Sequence, residues 1–277
     1  RTRISAALLL MMNWLSDMHP SVVVGIAVLM AMYVGAATFG GHRVTGRHWF
    51  WFAVAVTMTV FTLGPVDEWA ERRCFTMHML QHFNQTFVIP PLMLLAMPPS
   101  MLRPWVLSKR LRPLAEFFTR PVIAFLTFTA VFVVAHNPPI FDLMCRNENV
   151  HIAIHLAFMV SGVIMWWPIL SPLPELPRLS YPMQILYVFL LMIPMTAVAA
   201  PITLAHSIVY PWYLEAPHPW GLTPMDDQIL GGLLMWIGQG TYLVGVFTAI
   251  FYQWSRREDE GDAPSFEEPR LRALSGI

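Results

Sequence analysis

Seven stretches of mostly apolar residues, each near the length a helix needs to cross a bilayer, constrain this chain more than any other feature. A spanning helix takes about 20 residues. The stretches run roughly Ser21–Gly40, Trp49–Gly64, Thr76–Met97, Pro121–His136, Val150–Leu170, Pro182–His206 and Gln228–Trp254. The second and fourth are short, and extension or tilt accommodates them. Proline-rich joints at Met97-Pro98-Pro99-Ser100, His136-Asn137-Pro138-Pro139 and Ser171-Pro172-Leu173-Pro174 end one helix and send the chain into a loop. Pro194 and Pro201 predict a kink in the sixth stretch. The expected fold class is all-α, an integral membrane bundle of seven transmembrane helices. No internal repeat points to a transporter built from two halves.

Hydrophobic residues make up 56% of the chain and charged residues 12%, which excludes an ordinary soluble domain. Lys+Arg and Asp+Glu balance at 17 each, so no net field draws nucleic acid. The run Ile4–Met12 is too brief to span, so residues 1–18 are expected to form an interfacial segment or the remnant of a longer leader. Residues 19–255 make the membrane domain. Residues 256–277, opening with Arg256-Arg257-Glu258-Asp259-Glu260, are expected to be a solvated, mostly disordered tail.

Basic residues set the expected orientation. The side bearing the N-terminus holds five, Arg1, Arg3, Arg72, Arg73 and Arg146, and the other side holds the remaining twelve of the 17. The positive-inside rule puts the twelve in the cytoplasm, the N-terminus outside and the tail inside. Alternating the spans then collects the polar groups on the outer side: Cys74, His78 and His82 at the third span, His136 ending the fourth, Cys145 in the next loop, and His151 and His155 opening the fifth. His206 ends the sixth span there, and Asp226 and Asp227 precede the seventh. Only His42 and His48 face the cytoplasm, while His19 and His218 are loop residues.

Residues four apart on a helix are neighbours on one face. Cys74, His78 and His82 repeat at that step, with Gln81 and Gln85 on the same stripe, so this seam should face the bundle interior. Asn147, His151 and His155 make a second seam. On the seventh span Gly231, Gly238 and Gly245 recur at heptad spacing, as close helix contact in a bilayer requires.

Ionisable side chains inside a membrane are costly and tend to mark function. Imidazole suits copper and zinc, and thiolate or thioether selects Cu(I). Copper is the expected metal, since Met77, Met79 and Met144 stand beside the histidines and cysteines. A zinc hydrolase is disfavoured, because Met79 and Ile152 occupy the place of the glutamate that follows the first histidine in such enzymes. The expected ligands are His78, His82, His151, His155, His136, Asp227, Cys74 and Cys145. Other roles stay open: a hydrogen-bonded polar core for the histidines, a disulfide for the two cysteines, and a helix cap for Asp226 and Asp227. Two facing imidazoles could also hold a b-type haem.

His78-Met79-Leu80-Gln81-His82, with Pro90-Pro91-Leu92-Met93-Leu94 after it, resembles the caa3-type cytochrome c oxidase assembly factor (CtaG) family. So do the His136-Asn137-Pro138 helix end, the His151 and His155 helix running to Trp166-Trp167-Pro168-Ile169, and Asp227-Gln228-x-Leu230-Gly231-Gly232. The resemblance extends over roughly residues 20–255, and it implies an inner-membrane protein needed to assemble haem–copper oxidase, acting through copper. Its matched positions are His78, His82, His136, His151, His155 and Asp227. The expected function is therefore non-enzymatic delivery of copper to cytochrome c oxidase subunits. A haem-binding electron carrier and a structural subunit of a respiratory complex are the alternatives.

Overall fold

The computed structural model describes residues 20–72, 74–215 and 221–262; the expected interfacial segment, Arg73, His19, His218 and the chain after Asp262 lie outside them. Among the described residues every regular element is a helix. Helix α1 spans Pro20–Phe39, and α2 spans Gly46–Phe61, continuing through a π turn at Thr62–Val66 into α3, Asp67–Arg72. Helix α4, Phe75–Phe83, passes through a second π turn, Asn84–Val88, into α5, Ile89–Ala96. Then come α6, Pro99–Val106; α7, Arg112–Phe118; α8, Pro121–Ala135; and α9, Pro138–Arg146. The long helices α10, Glu148–Leu170, and α11, Tyr181–Thr203, follow, with a 3-10 turn at Pro211–Leu214. Helix α12, Pro224–Leu233, runs through a third π turn, Leu234–Gly238, into α13, Gln239–Asp262.

Five of these helical stretches are long and apolar enough to cross a membrane, or up to seven if each of two bent pairs counts as one span. The bent pairs are α4–α5 with α6, at 102°, and α7 with α8, at 80°. Both bends follow from proline: Pro99 and Pro121 each stand at the start of the later helix, and the residue before a proline leaves the helical region. Each expected stretch has a helical counterpart. The second proves longer, because the π turn carries it to Val66. The sixth runs through Pro194 and Pro201 as one continuous helix. The last does not end at Trp254: α13 continues to Asp262, with the Trp254 indole donating to Glu258 at 2.6 Å. The short helices α3, α6, α7 and α9 fall where the sequence pattern shows only joints.

Helix α10 is central, with half of its most apolar window buried, whereas only 6% of the corresponding α1 window is. It packs against α8, α5 and the π turn before α5, while α12 packs on both α4 and α11. The side chain of Asn147 caps α10 by accepting from the backbone N–H groups of Asn149 and Val150. Thr223 and Asp226 form a reciprocal capping box at α12.

The passage from α4 to α5 depends on two prolines. Pro90 and Pro91 have no N–H, so the carbonyls four residues earlier, Thr86 and Phe87, lose their helical donors. Each finds another: the Trp166 indole donates to Thr86 O at 2.9 Å, and the Tyr242 hydroxyl donates to Phe87 O at 2.7 Å. Close approach of α10 here requires Gly162, where a Cβ would stand 2.9 Å from the Pro90 ring and 3.2 Å from Thr86 O. Removing either donor leaves a buried carbonyl without a partner, a loss of about 1–2 kcal/mol. Trp166→Phe and Tyr242→Phe are each expected to lower stability by that amount in equilibrium unfolding from mixed micelles.

Candidate functional site

The polar seam of α4 turns inward as its spacing requires: Cys74, His78, Gln81 and His82 are all buried, as is Gln85 in the π turn that follows. Across from it, His151 and His155 lie in the first two turns of α10, and His136 closes α8. Three of these histidines converge. His82 Nε2 stands 3.0 Å from His78 Nε2 and 3.3 Å from His155 Nε2. The ligand atoms of His78, His82 and His155 all lie within 4.8 Å of one another. The remaining two sit alongside, with ring centroids 4.0 Å apart for His151 and His155 and 5.5 Å for His82 and His136.

Proton placement decides what such a group can do. Tyr213 Oη lies 2.8 Å from His78 Nδ1 and 3.2 Å from the Ala70 carbonyl. With the phenol proton directed at the Ala70 carbonyl, the phenol oxygen accepts from His78 Nδ1–H. In that tautomer His78 Nε2 carries a lone pair directed at its neighbours. Burial holds the Tyr213 phenol well above its usual range, so it keeps its proton. Gln85 faces His155 Nδ1 at 3.2 Å. Its amide oxygen has no partner, and turning the amide over lets that oxygen accept from Nδ1–H. His155 Nε2 then also presents a lone pair. His82 Nδ1 has no partner, and its Nε2–H could serve only one of the two lone pairs. In these tautomers one Nε2–H serves only one of two lone pairs, whereas a single cation takes a lone pair from each ring, with the His82 proton moved to its unpartnered Nδ1. Nitrogens bound to one ion at about 2.0–2.1 Å stand about 3.3–3.6 Å apart, close to the spacing here.

His136 is a fourth candidate at one remove. Its Nδ1 donates to Phe132 O at 2.7 Å, which fixes the tautomer, and its Nε2 is buried with no hydrogen-bond partner.

The Asp227 carboxylate takes another place. It accepts from the Phe75 N–H at 2.6 Å, the Thr76 N–H at 3.0 Å, the Thr76 hydroxyl at 2.7 Å and the Cys74 thiol at 3.0 Å. A carboxylate here satisfies orphan N–H groups at the start of α4 and complements the helix dipole. Burial, then the hydrogen bond to Asp227, push the Cys74 thiol up to about 12, so it acts as a donor. No disulfide joins Cys74 and Cys145, so that alternative is not realised. Cys145 lies beside the Tyr213 hydroxyl. Asp226 is exposed and caps α12, and His206 is exposed. Met79 and Met144 belong to the apolar core. Of the heptad glycines, only Gly231 is needed for a close approach to another helix: a Cβ there would meet the Phe75 ring and Met79, whereas nothing stands near Gly245.

Two residues of the site escaped the sequence pattern. Tyr213 sits in a loop with no periodicity, and Asp67 follows the π turn of α2. Asp67 accepts from the Gln81 amide, and with His151 and His155 it forms a second group whose ligand atoms lie within 4.8 Å. For a b-type haem, two imidazoles must stand on opposite faces of a flat macrocycle. Nitrogens 3.0 and 3.3 Å apart leave no slot between these rings.

A family model described as cytochrome c oxidase caa3 assembly factor matches residues 28–257. Uncharacterized proteins of Mycobacterium bovis and Mycobacterium tuberculosis are each 26% identical over 92% of this chain and 43% of their own length. One from Mycobacterium leprae is 25% identical over 93% of this chain and 42% of its own. The chain thus spans less than half the length of these curated relatives. No solved structure matches it.

Truncating the buried carboxylate leaves several donors stranded. Asp227→Ala is expected to lower stability by about 3 kcal/mol, and Asp227→Asn by less, in micelle unfolding followed by circular dichroism.

Proposed function

The chain belongs to the cytochrome c oxidase caa3 assembly factor family, and from that premise we propose that it holds Cu(I) on His78, His82 and His155 and passes it to a subunit of a haem–copper oxidase. The observation that carries this is the buried convergence of three imidazole nitrogens close enough to share one ion. Copper is favoured over calcium or magnesium because the donors are nitrogen, and those ions prefer oxygen. Three neutral imidazoles suit Cu(I) over a divalent ion, since the buried complex then carries a single positive charge.

The transfer is ligand exchange and needs no catalysis. His136, with its unpartnered Nε2 beside His82, offers a further nitrogen through which an ion leaves stepwise. Cys74 and Asp227 hold α4 in place, and Cys145 and Tyr213 stand where the loop after α11 covers the imidazoles. In the proposed topology both bent pairs count as spans, making seven, with the N-terminus outside and the C-terminus inside a bacterial inner membrane. Two readings support it: the uneven division of Lys and Arg that alternating spans give, and the grouping of the α8 end with the α10 start. The metal layer then lies at the outer face, beside the oxidase subunits that receive copper.

Purified protein is expected to bind one equivalent of Cu(I) in competition with bicinchoninate. His78→Ala and His155→Ala should each weaken that binding at least tenfold and impair oxidase assembly in cells. Undiminished binding and normal assembly in both variants would overturn the proposal.

A further inference from the structure

The second ligand group calls for a reading of its own. Asp67 stands directly after the π turn Thr62–Val66. The extra residue of a π turn rotates all later side chains by about 100° relative to an unbroken helix. Here it accompanies a carboxylate facing the N-terminal end of α10, where ligand atoms of Asp67, His151 and His155 lie within 4.8 Å of one another. Both histidines are buried. Gln81 donates its amide N–H to Asp67 Oδ1. A carboxylate has about four acceptor sites, and that bond helps fix its orientation beside the two rings.

We infer that Asp67, His151 and His155 form a second cation position, for a divalent transition metal, which shares His155 with the imidazole triad. The inference rests on the proposal that this layer handles metal, and it adds a site of different hardness. Two imidazoles and a carboxylate suit Zn2+, Co2+ or Cu2+, whereas three neutral imidazoles suit Cu(I). Charge leads to the same assignment. A divalent ion on one carboxylate and two neutral rings leaves a net charge of plus one, and so does a monovalent ion on three neutral rings. A buried site with low permittivity resists any greater charge. A neutral His155 ring has one lone pair, so the two positions compete for it and an ion in one excludes an ion from the other.

The test uses Co2+ as a probe on metal-free, detergent-purified full chain, read by its visible ligand-field absorption. One equivalent is expected to bind in the native protein and in His78→Ala, which dismantles only the triad. Asp67→Asn, matched in size, and His151→Ala should each weaken Co2+ binding at least tenfold, while Asp67→Asn retains native Cu(I) stoichiometry. An exposed control, Asp226→Asn, should bind as the native protein does. The inference is overturned if the native chain binds no Co2+, if Asp67→Asn binds it unchanged, or if His78→Ala abolishes it. Cu(I) binding measured on the same samples separates this result from the first proposal: a native chain that takes Co2+ but no Cu(I) would sink that proposal alone.

Discussion

The carboxylate of Asp227 joins the start of α12 to the start of α4, and the imidazole layer stands where it does because of that joint. Four donors from three consecutive residues converge on it: the Cys74 thiol, the N–H groups of Phe75 and Thr76, and the Thr76 hydroxyl. One turn further along α12, Gly231 lets the Phe75 ring and Met79 come into contact, so the two helices meet without a Cβ between them. The neighbouring Gly232 faces Thr203 at the end of α11 in the same way. With α4 fixed at its first residues, His78 and His82 have one direction in which to point.

A second set of bonds fixes the covering loop. Gln228 donates to the carbonyls of Ile202 and Ser207 and accepts from the Val209 N–H at 2.6 Å. Tyr210 donates to the His136 carbonyl and packs on Phe141, with ring centroids 4.1 Å apart. These contacts bring Tyr213 over His78, where its phenol meets Nδ1. Packing, loop anchoring and ring placement are thus one chain of causes, and its result is three imidazole nitrogens converging in an apolar interior.

Much of this arrangement was legible in the sequence. Apolar length identified the long helices, and the four-residue recurrence of Cys74, His78 and His82 identified the inward face of α4. Asp227 was legible as a residue of interest, but as ligand or cap of its own helix. Its role as acceptor for a helix 150 residues away depends on tertiary contact that no local pattern carries. Asp67 and the three π turns were invisible for a related reason. A π turn keeps an ordinary apolar composition while it changes which residues share a face, so periodicity misplaces everything beyond it. The heptad of glycines overstated its case, since spacing alone does not say which of them meets a neighbour. Tyr213 lay in a loop, where composition gives no direction to a side chain.

The two prolines of α5 carry a mechanical consequence. An ordinary helix exchanges hydrogen-bond partners as it stretches or slides, but Thr86 and Phe87 lack the donor four residues on that a helix supplies. Their carbonyls are held from outside by Trp166 and Tyr242, so the central segment resists axial creep against α10 and α13. Helix α1, with only 6% of its most apolar window buried, stands outside this frame and joins it through the Tyr33 hydroxyl, which donates to the Ala96 carbonyl.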